Sequence, residues 1–134
     1  MSDKWWHQVR DFHIKFQHPH RDTPVFMEKE RAQKRYNWMQ EELDEFINSR
    51  DLVNQVDALI DLMYFAVGTL VEMGVKPDEV FEIVHRANMT KLDNGTPLFK
   101  EDGKTAKPKD WQDPAEQIKQ VLDKHIQAGQ KQQK

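Results

Sequence analysis

Two short acidic clusters on either side of a break carry the chemistry that this chain offers. Glu41, Glu42 and Glu45 form the first, and Asp57 and Asp61 the second. Spacings of three and four residues stack helical side chains, so Glu42 lies over Glu45 and Glu41 over Glu45. Asp57 lies one turn before Asp61 on the same face. Asp61 is the most informative of the five, because Ala58-Leu59-Ile60 before it and Leu62-Met63-Tyr64-Phe65-Ala66-Val67 after it all favour burial. A buried, unpaired carboxylate destabilises a fold by several kcal/mol, so it requires a cation or a proton. An antiparallel helical hairpin would bring the glutamates against the aspartates and place up to five like charges in one site. Oxygen ligands without His or Cys suit Mg²⁺ or Mn²⁺, ions that keep waters and bridge to substrate phosphates. A plainer reading stands beside this one. Glutamates so spaced commonly line a solvated helix face, and Asp61 could be a protonated core acid or one paired with Arg35 or Lys34.

The elements that would position these acids are helical. Residues 3–17 read as a first helix, with Trp5, Val9, Phe12 and Phe16 on one face and Asp3 as N-cap. Pro19 and Pro24 mark a connector. Residues 26–48 read as a second helix with the apolar stripe Tyr36, Met39, Leu43, Phe46 and Ile47, on a different arc from the three glutamates. Residues 51–73 read as a third, carrying Val53, Val56, Ile60, Met63, Val67 and Leu70 on one stripe and Leu59, Leu62, Phe65 and Ala66 on the rest, up to Gly74. Such a helix, apolar nearly all round, is normally buried. Residues 77–91 read as a fourth, with Pro77, Asp78 and Glu79 suited to its first turn.

Residues 92–114 read as an extended lysine-bearing loop with turn signals at Asn94-Gly95 and Asp102-Gly103 and room for a small hairpin. Residues 115–127 add a short helix, and 128–134 read as a disordered tail. The expected fold is all-α: one domain over 1–127, a four-to-five-helix bundle of antiparallel hairpins. A chain of 134 residues has few elements to cover the third helix, so the bundle is expected to be completed as a homodimer or homotetramer.

Composition narrows the partners. The net charge of −3 argues against nucleic-acid backbones, which need a basic face, but allows a small phosphorylated ligand bridged by metal ions. The absence of cysteine excludes disulfides and thiolate metal sites. The start of the chain lacks the apolar core of a signal peptide, and the apolar run from Leu62 to Val71 is too short to span a bilayer. A cytoplasmic protein with no membrane or nucleic-acid partner is expected.

Four segments in order resemble a known family. Glu41-Glu42-Leu43-Asp44-Glu45 matches the EExxE motif of the MazG-like all-α nucleoside triphosphate pyrophosphohydrolases, and Asp57-Ala58-Leu59-Ile60-Asp61 resembles their second motif, usually ExxD. Val9-Arg10-Asp11-Phe12-His13 and Val84-His85-Arg86-Ala87-Asn88-Met89-Thr90-Lys91 look like segments of the phosphoribosyl-ATP pyrophosphohydrolase-like subgroup, as do Lys100-Glu101-Asp102-Gly103-Lys104 and Lys107-Pro108. The resemblance covers roughly residues 5–114. One departure stands out: with Asp61 as the final aspartate, the usual glutamate falls at Ala58, and Asp57 is its natural substitute.

The resemblance implies hydrolysis of a nucleoside triphosphate to the monophosphate and pyrophosphate, with dUTP or another deoxynucleotide as a candidate. It implies Mg²⁺, with Mn²⁺ as an option, held by Glu41, Glu42, Glu45, Asp57 and Asp61. Glu41 or Glu45 would orient the water or accept its proton, and Asn88 and Lys91 would contact the nucleotide. Lys104 and its neighbours could close over phosphates or form a solvated loop. Trp38 could stack on a base or sit at a subunit interface. His13 reads as a packed histidine. Two other functions compete. A di-iron carboxylate bundle expects two Glu-x-x-His motifs, and only Glu82-Ile83-Val84-His85 fits. A non-catalytic helical regulatory or interaction protein is the alternative from another class.

Overall fold

The computed structural model describes residues 3–132 and is an all-α fold. Its helices are α1 (Lys4–Lys15), α2 (Lys29–Asn48), α3 (Leu52–Met73), α4 (Asp78–Met89) and α5 (Ala115–Gln132). A hairpin of β1 (Leu92–Asp93) and β2 (Thr96–Pro97) lies between α4 and α5.

Local chemistry sets most boundaries. The Glu28 carboxylate accepts from the backbone N–H of Arg31 at the start of α2. Asp51 does the same for Asn54 at the start of α3, 2.9 Å away. Ser49, in extended backbone, separates the two helices. Gly74 ends α3 at φ 71, and the backbone of Thr23 lies where a Cβ on Gly74 would sit. Residues 17–25 run back along that end, where Arg21 N–H donates to Val71 O and Val25 N–H to Met73 O. These contacts satisfy carbonyls that the helix terminus leaves open.

Asp3 occupies the N-cap position of α1, but its carboxylate does not cap that helix. It accepts from the N–H of Asp78, while the Asp78 carboxylate accepts from the N–H of Asp3, both at 2.8 Å. The expected local cap is thus a reciprocal clasp between the starts of α1 and α4.

The fully buried core is small: Trp6 and Val9 of α1 pack on Val71 of α3, with Val67 and Leu70 beside them. α2 runs antiparallel to α3. As α2 climbs from Arg31 through Arg35 to Trp38, its partners in α3 descend from Glu72 through Thr69 to Phe65. The side of α2 facing α3 therefore carries Arg35 and Trp38, whereas Tyr36, Leu43 and Ile47 of the expected stripe are exposed. Polar groups turned inward are held by ion pairs, so the apolar stripe is free to face outward. Ala58 is the one buried residue in the N-terminal half of α3 among the described residues, the others lying from Gly68 onward, and Val53, Val56, Ile60 and Met63 are exposed on the chain.

The turn signals of the loop both hold. Asn94 and Gly95 adopt positive φ (49 and 81) between β1 and β2. Gly103 at φ 86 closes a second turn, across which Phe99 pairs with Thr105 and Lys100 N–H donates to Lys104 O. α5 packs on α4, where Lys124 and His125 meet Glu79. It continues through residues 128–132, which are helical rather than the start of a disordered tail; residues 133–134 lie outside the described residues. Gly129 passes so close to the Thr23 side chain that a Cβ would collide with it, so this extension is packed rather than free.

Candidate metal centre

The antiparallel register that sets Trp38 against Phe65 carries on, one turn later, to the acids. Glu42 and Glu45 of α2 and Asp61 of α3 each offer a carboxylate oxygen, all within 4.8 Å of one another. Glu42 and Asp61 are half-buried, and Glu45 is exposed at the rim. Oε2 of Glu42 is buried without a hydrogen-bond partner, and none of the three acids is in a salt bridge among the described residues.

The electrostatics follow from that crowding. Desolvation first, then the neighbouring Glu45 carboxylate and the charges of Asp61 and Asp57, push the Glu42 carboxyl from 4.5 up to about 7. A bond between two carboxylates needs a proton, so Glu42 and Glu45 can share one only while one of them is protonated; with both ionised, Glu42 Oε2 is an orphan. Asp61 is also raised, by desolvation and then by Asp57 and Glu45. An orphaned buried oxygen amid three converging carboxylates is the donor set of a hard divalent cation, and a cation here would remove both the repulsion and the orphan.

Not every expected ligand joins this group. Glu41, a third of a turn away around α2, is exposed and outside it. Asp57 is exposed and also outside it, close enough to raise Asp61 and Glu42 by its charge. Ala58, where the related motif usually has glutamate, is buried at 1% exposure.

The residues expected to touch substrate lie in three places. Trp38 is half-buried one turn before Glu42; the guanidinium carbons of Arg31 and Arg35 lie 5.2 and 5.3 Å from its ring, and Phe65 packs on it. Asn88 and Lys91 stand at the end of α4, and Lys104 is exposed in the second turn of the loop. Among the described residues, no hydrogen bond or ion pair joins Asn88, Lys91 or Lys104 to the acids. His13 is buried, at a position where a histidine is packed. Burial depresses its pKa, and its Nδ1 lies 2.8 Å from the carbonyl of Pro19.

Sequence reasoning missed a buried charge cluster three turns along α3 from Asp61. Glu72, buried at 4% exposure, receives Nε and Nη2 of Arg31 at 2.8 and 3.0 Å. Arg35 Nη1 lies 3.1 Å away, and Arg35 also donates to Thr69 Oγ1 and to the Phe65 carbonyl. Arg35 thus partners Glu72, not Asp61. The signal was available, since Glu72, like Asp61, is an acid in an otherwise apolar helix.

Residues 9–88, more than half of the chain, match the family described as phosphoribosyl-ATP pyrophosphohydrolase. The match takes in both acidic clusters and ends at Asn88. No individual curated protein matches the chain.

Proposed function

As the chain belongs to the phosphoribosyl-ATP pyrophosphohydrolase family and is thus a hydrolase of phosphoric anhydrides, we propose that it cleaves a nucleoside triphosphate, with Mg²⁺, to the monophosphate and pyrophosphate. A deoxynucleotide such as dUTP is the candidate substrate. The gathering of Glu42, Glu45 and Asp61 around an orphaned buried oxygen carries this reading.

In the proposed reaction, Glu42, Glu45 and Asp61 hold Mg²⁺ (or Mn²⁺), with Asp57 one turn away as the fourth acid and Glu41 flanking them. The bound ion would supply an acidified water and neutralise phosphate charge. Glu41, exposed beside Glu45, is free to take a proton from the attacking water, a role Glu45 could share. Water oxygen bonds to the α-phosphorus, and the bond from that phosphorus to the bridging oxygen breaks. Pyrophosphate departs with the electron pair. Asn88, Lys91 and Lys104 are assigned to the substrate, whose phosphates the two ammonium groups would offset. Trp38, half-buried one turn from Glu42, is assigned to the base.

Assembly belongs to the same proposal. Val53, Val56, Ile60 and Met63 make an exposed apolar stripe on α3, and Leu43 and Ile47 of α2 are exposed as well. Faces of this kind mark protein contacts, and a second copy would cover it in a homodimer or homotetramer. A cytoplasmic location goes with a nucleotide substrate; among the described residues, no helix is long and apolar enough to cross a membrane.

The test is pyrophosphate release from a panel of ribo- and deoxynucleoside triphosphates and phosphoribosyl-ATP, with Mg²⁺, Mn²⁺ or chelator. Turnover of a nucleoside triphosphate that stops in chelator is the expected outcome. Preference for phosphoribosyl-ATP would move the substrate to the one in the family's name. Failure with the whole panel would favour the non-catalytic alternative.

A further inference from the structure

Trp111 stands at the end of the lysine-bearing loop, and its surroundings point to a role. Its indole N–H donates to the Ala87 carbonyl at 2.9 Å and to Thr90 Oγ1 at 3.1 Å, which anchors the loop to the last turn of α4. Pro108, three residues earlier, is buried, and its carbonyl accepts from the backbone N–H of Trp111. The ring then serves two cations: Nζ of Lys91 lies 4.9 Å from its centroid and Nζ of Lys107 lies 5.1 Å from it. Among the described residues, neither ammonium is in an ion pair, whereas Lys119 and Lys124 of α5 have carboxylate partners.

Two like charges held by one neutral ring repel each other and gain only the attraction of its face. An anion that meets both would offset that repulsion, and a polyphosphate offers several charged oxygens to compact ammonium groups gathered around one ring. We infer that Lys91 and Lys107 form a dibasic seat for the polyphosphate of the ligand, and that Trp111 is the positioning residue that holds both lysines there. This rests on the proposed nucleotide reading for its biological ligand, but not for the binding itself. Lys107 and Trp111 lie beyond residue 88, where the family match ends.

The test uses the full chain, metal-free in chelator, titrated with inorganic tripolyphosphate by calorimetry. Wild type should bind saturably. Lys107→Gln should weaken binding by about tenfold, whereas Lys109→Gln, two residues on and exposed, should bind as wild type does. Trp111→Leu should lose affinity as Lys107→Gln does, and Trp111→Phe, which keeps a ring face for the cations, should recover most of it. If Trp111→Leu does not fold, the Lys107 pair of measurements decides alone. No saturable binding by wild type, unchanged binding by Lys107→Gln, or an equal loss in Lys109→Gln would overturn the seat. Equal loss in the Phe and Leu variants would overturn the role of the ring. The two readings fail separately. Tripolyphosphate binding through Lys107 without turnover of any nucleotide would sink the proposed function and leave the seat. Turnover with unchanged Lys107→Gln binding would do the reverse.

Discussion

Glu42 on α2 and Asp61 on α3 face each other across an antiparallel hairpin, and with Glu45 their carboxylate oxygens lie within 4.8 Å of one another. Nothing in that cluster compensates its charge. The same hairpin neutralises a buried carboxylate three turns away, where Glu72 takes two arginines. One seam thus holds a closed ion network and an open acidic one, and the open one is where an added cation gains most.

Replacement of Asp61 by Asn, or Glu42 by Gln, removes one charged oxygen with little change of shape. Each should lower Mg²⁺-dependent pyrophosphate release by at least about 100-fold, or roughly 2.7 kcal/mol in the barrier, with helical circular dichroism intact. Retention of more than about a tenth of the activity, a change under about 1.4 kcal/mol, would remove these residues from the metal centre.

The raised carboxyls give metal-free stability a definite pH dependence. Glu42 titrates near 4.5 when unfolded and about 7 when folded. Between those values the folded state holds a proton that the unfolded state has released, so stability falls as pH rises through that window. The metal-free melting temperature should therefore drop from about pH 5 to about pH 8, and Glu42→Gln should flatten the profile. At the upper end that variant should melt higher by roughly 4 °C, the equivalent of about 1 kcal/mol, and show a smaller Mg²⁺-induced rise. A variant that melts lower in chelator, with an undiminished Mg²⁺ shift, would make Glu42 a structural acid.

The opposite sign is expected at Glu72. Glu72→Leu leaves the Arg35 guanidinium buried and Arg31 without its carboxylate, a loss of about 3–5 kcal/mol. Urea unfolding should show this as a lower midpoint at unchanged slope. Because Arg31, Arg35 and Glu72 tie α2 to α3 just below Trp38 and Glu42, the weakened variant should also need more Mg²⁺ for half-maximal activity. A loss under about 1 kcal/mol would show that the network contributes little more than an exposed pair.

Assembly is tested on the outward face of α3. Val56 and Ile60, 49% and 54% exposed, lie one turn apart on the apolar face. Light scattering should give wild type as a dimer or tetramer at micromolar concentration. Val56→Asp with Ile60→Glu should shift it to smaller species. A stable wild-type monomer would leave that face without the partner proposed for it.

Local chemistry was enough for much of this molecule. Helical period, the caps at Glu28 and Asp51, the Gly74 stop and the turns at Asn94-Gly95 and Asp102-Gly103 act over a few residues, so the sequence by itself determined an all-α chain with two acidic clusters on neighbouring helices. Which acids meet was decided by tertiary structure. Adjacent residues on a helix differ by about 100° in direction, so the rotation of α2 against α3 separates Glu42, inside the cluster, from Glu41, outside it. That rotation is set by Arg31 and Arg35 reaching Glu72, a partner 41 and 37 residues away for which no local spacing codes. The same holds where Asp3 clasps Asp78, where Ala58 takes a core position and leaves Asp57 at the surface, and where Trp111 gathers Lys91 and Lys107. Each pairing depends on how whole helices and loops pack, and that packing is specified only when the chain closes on itself.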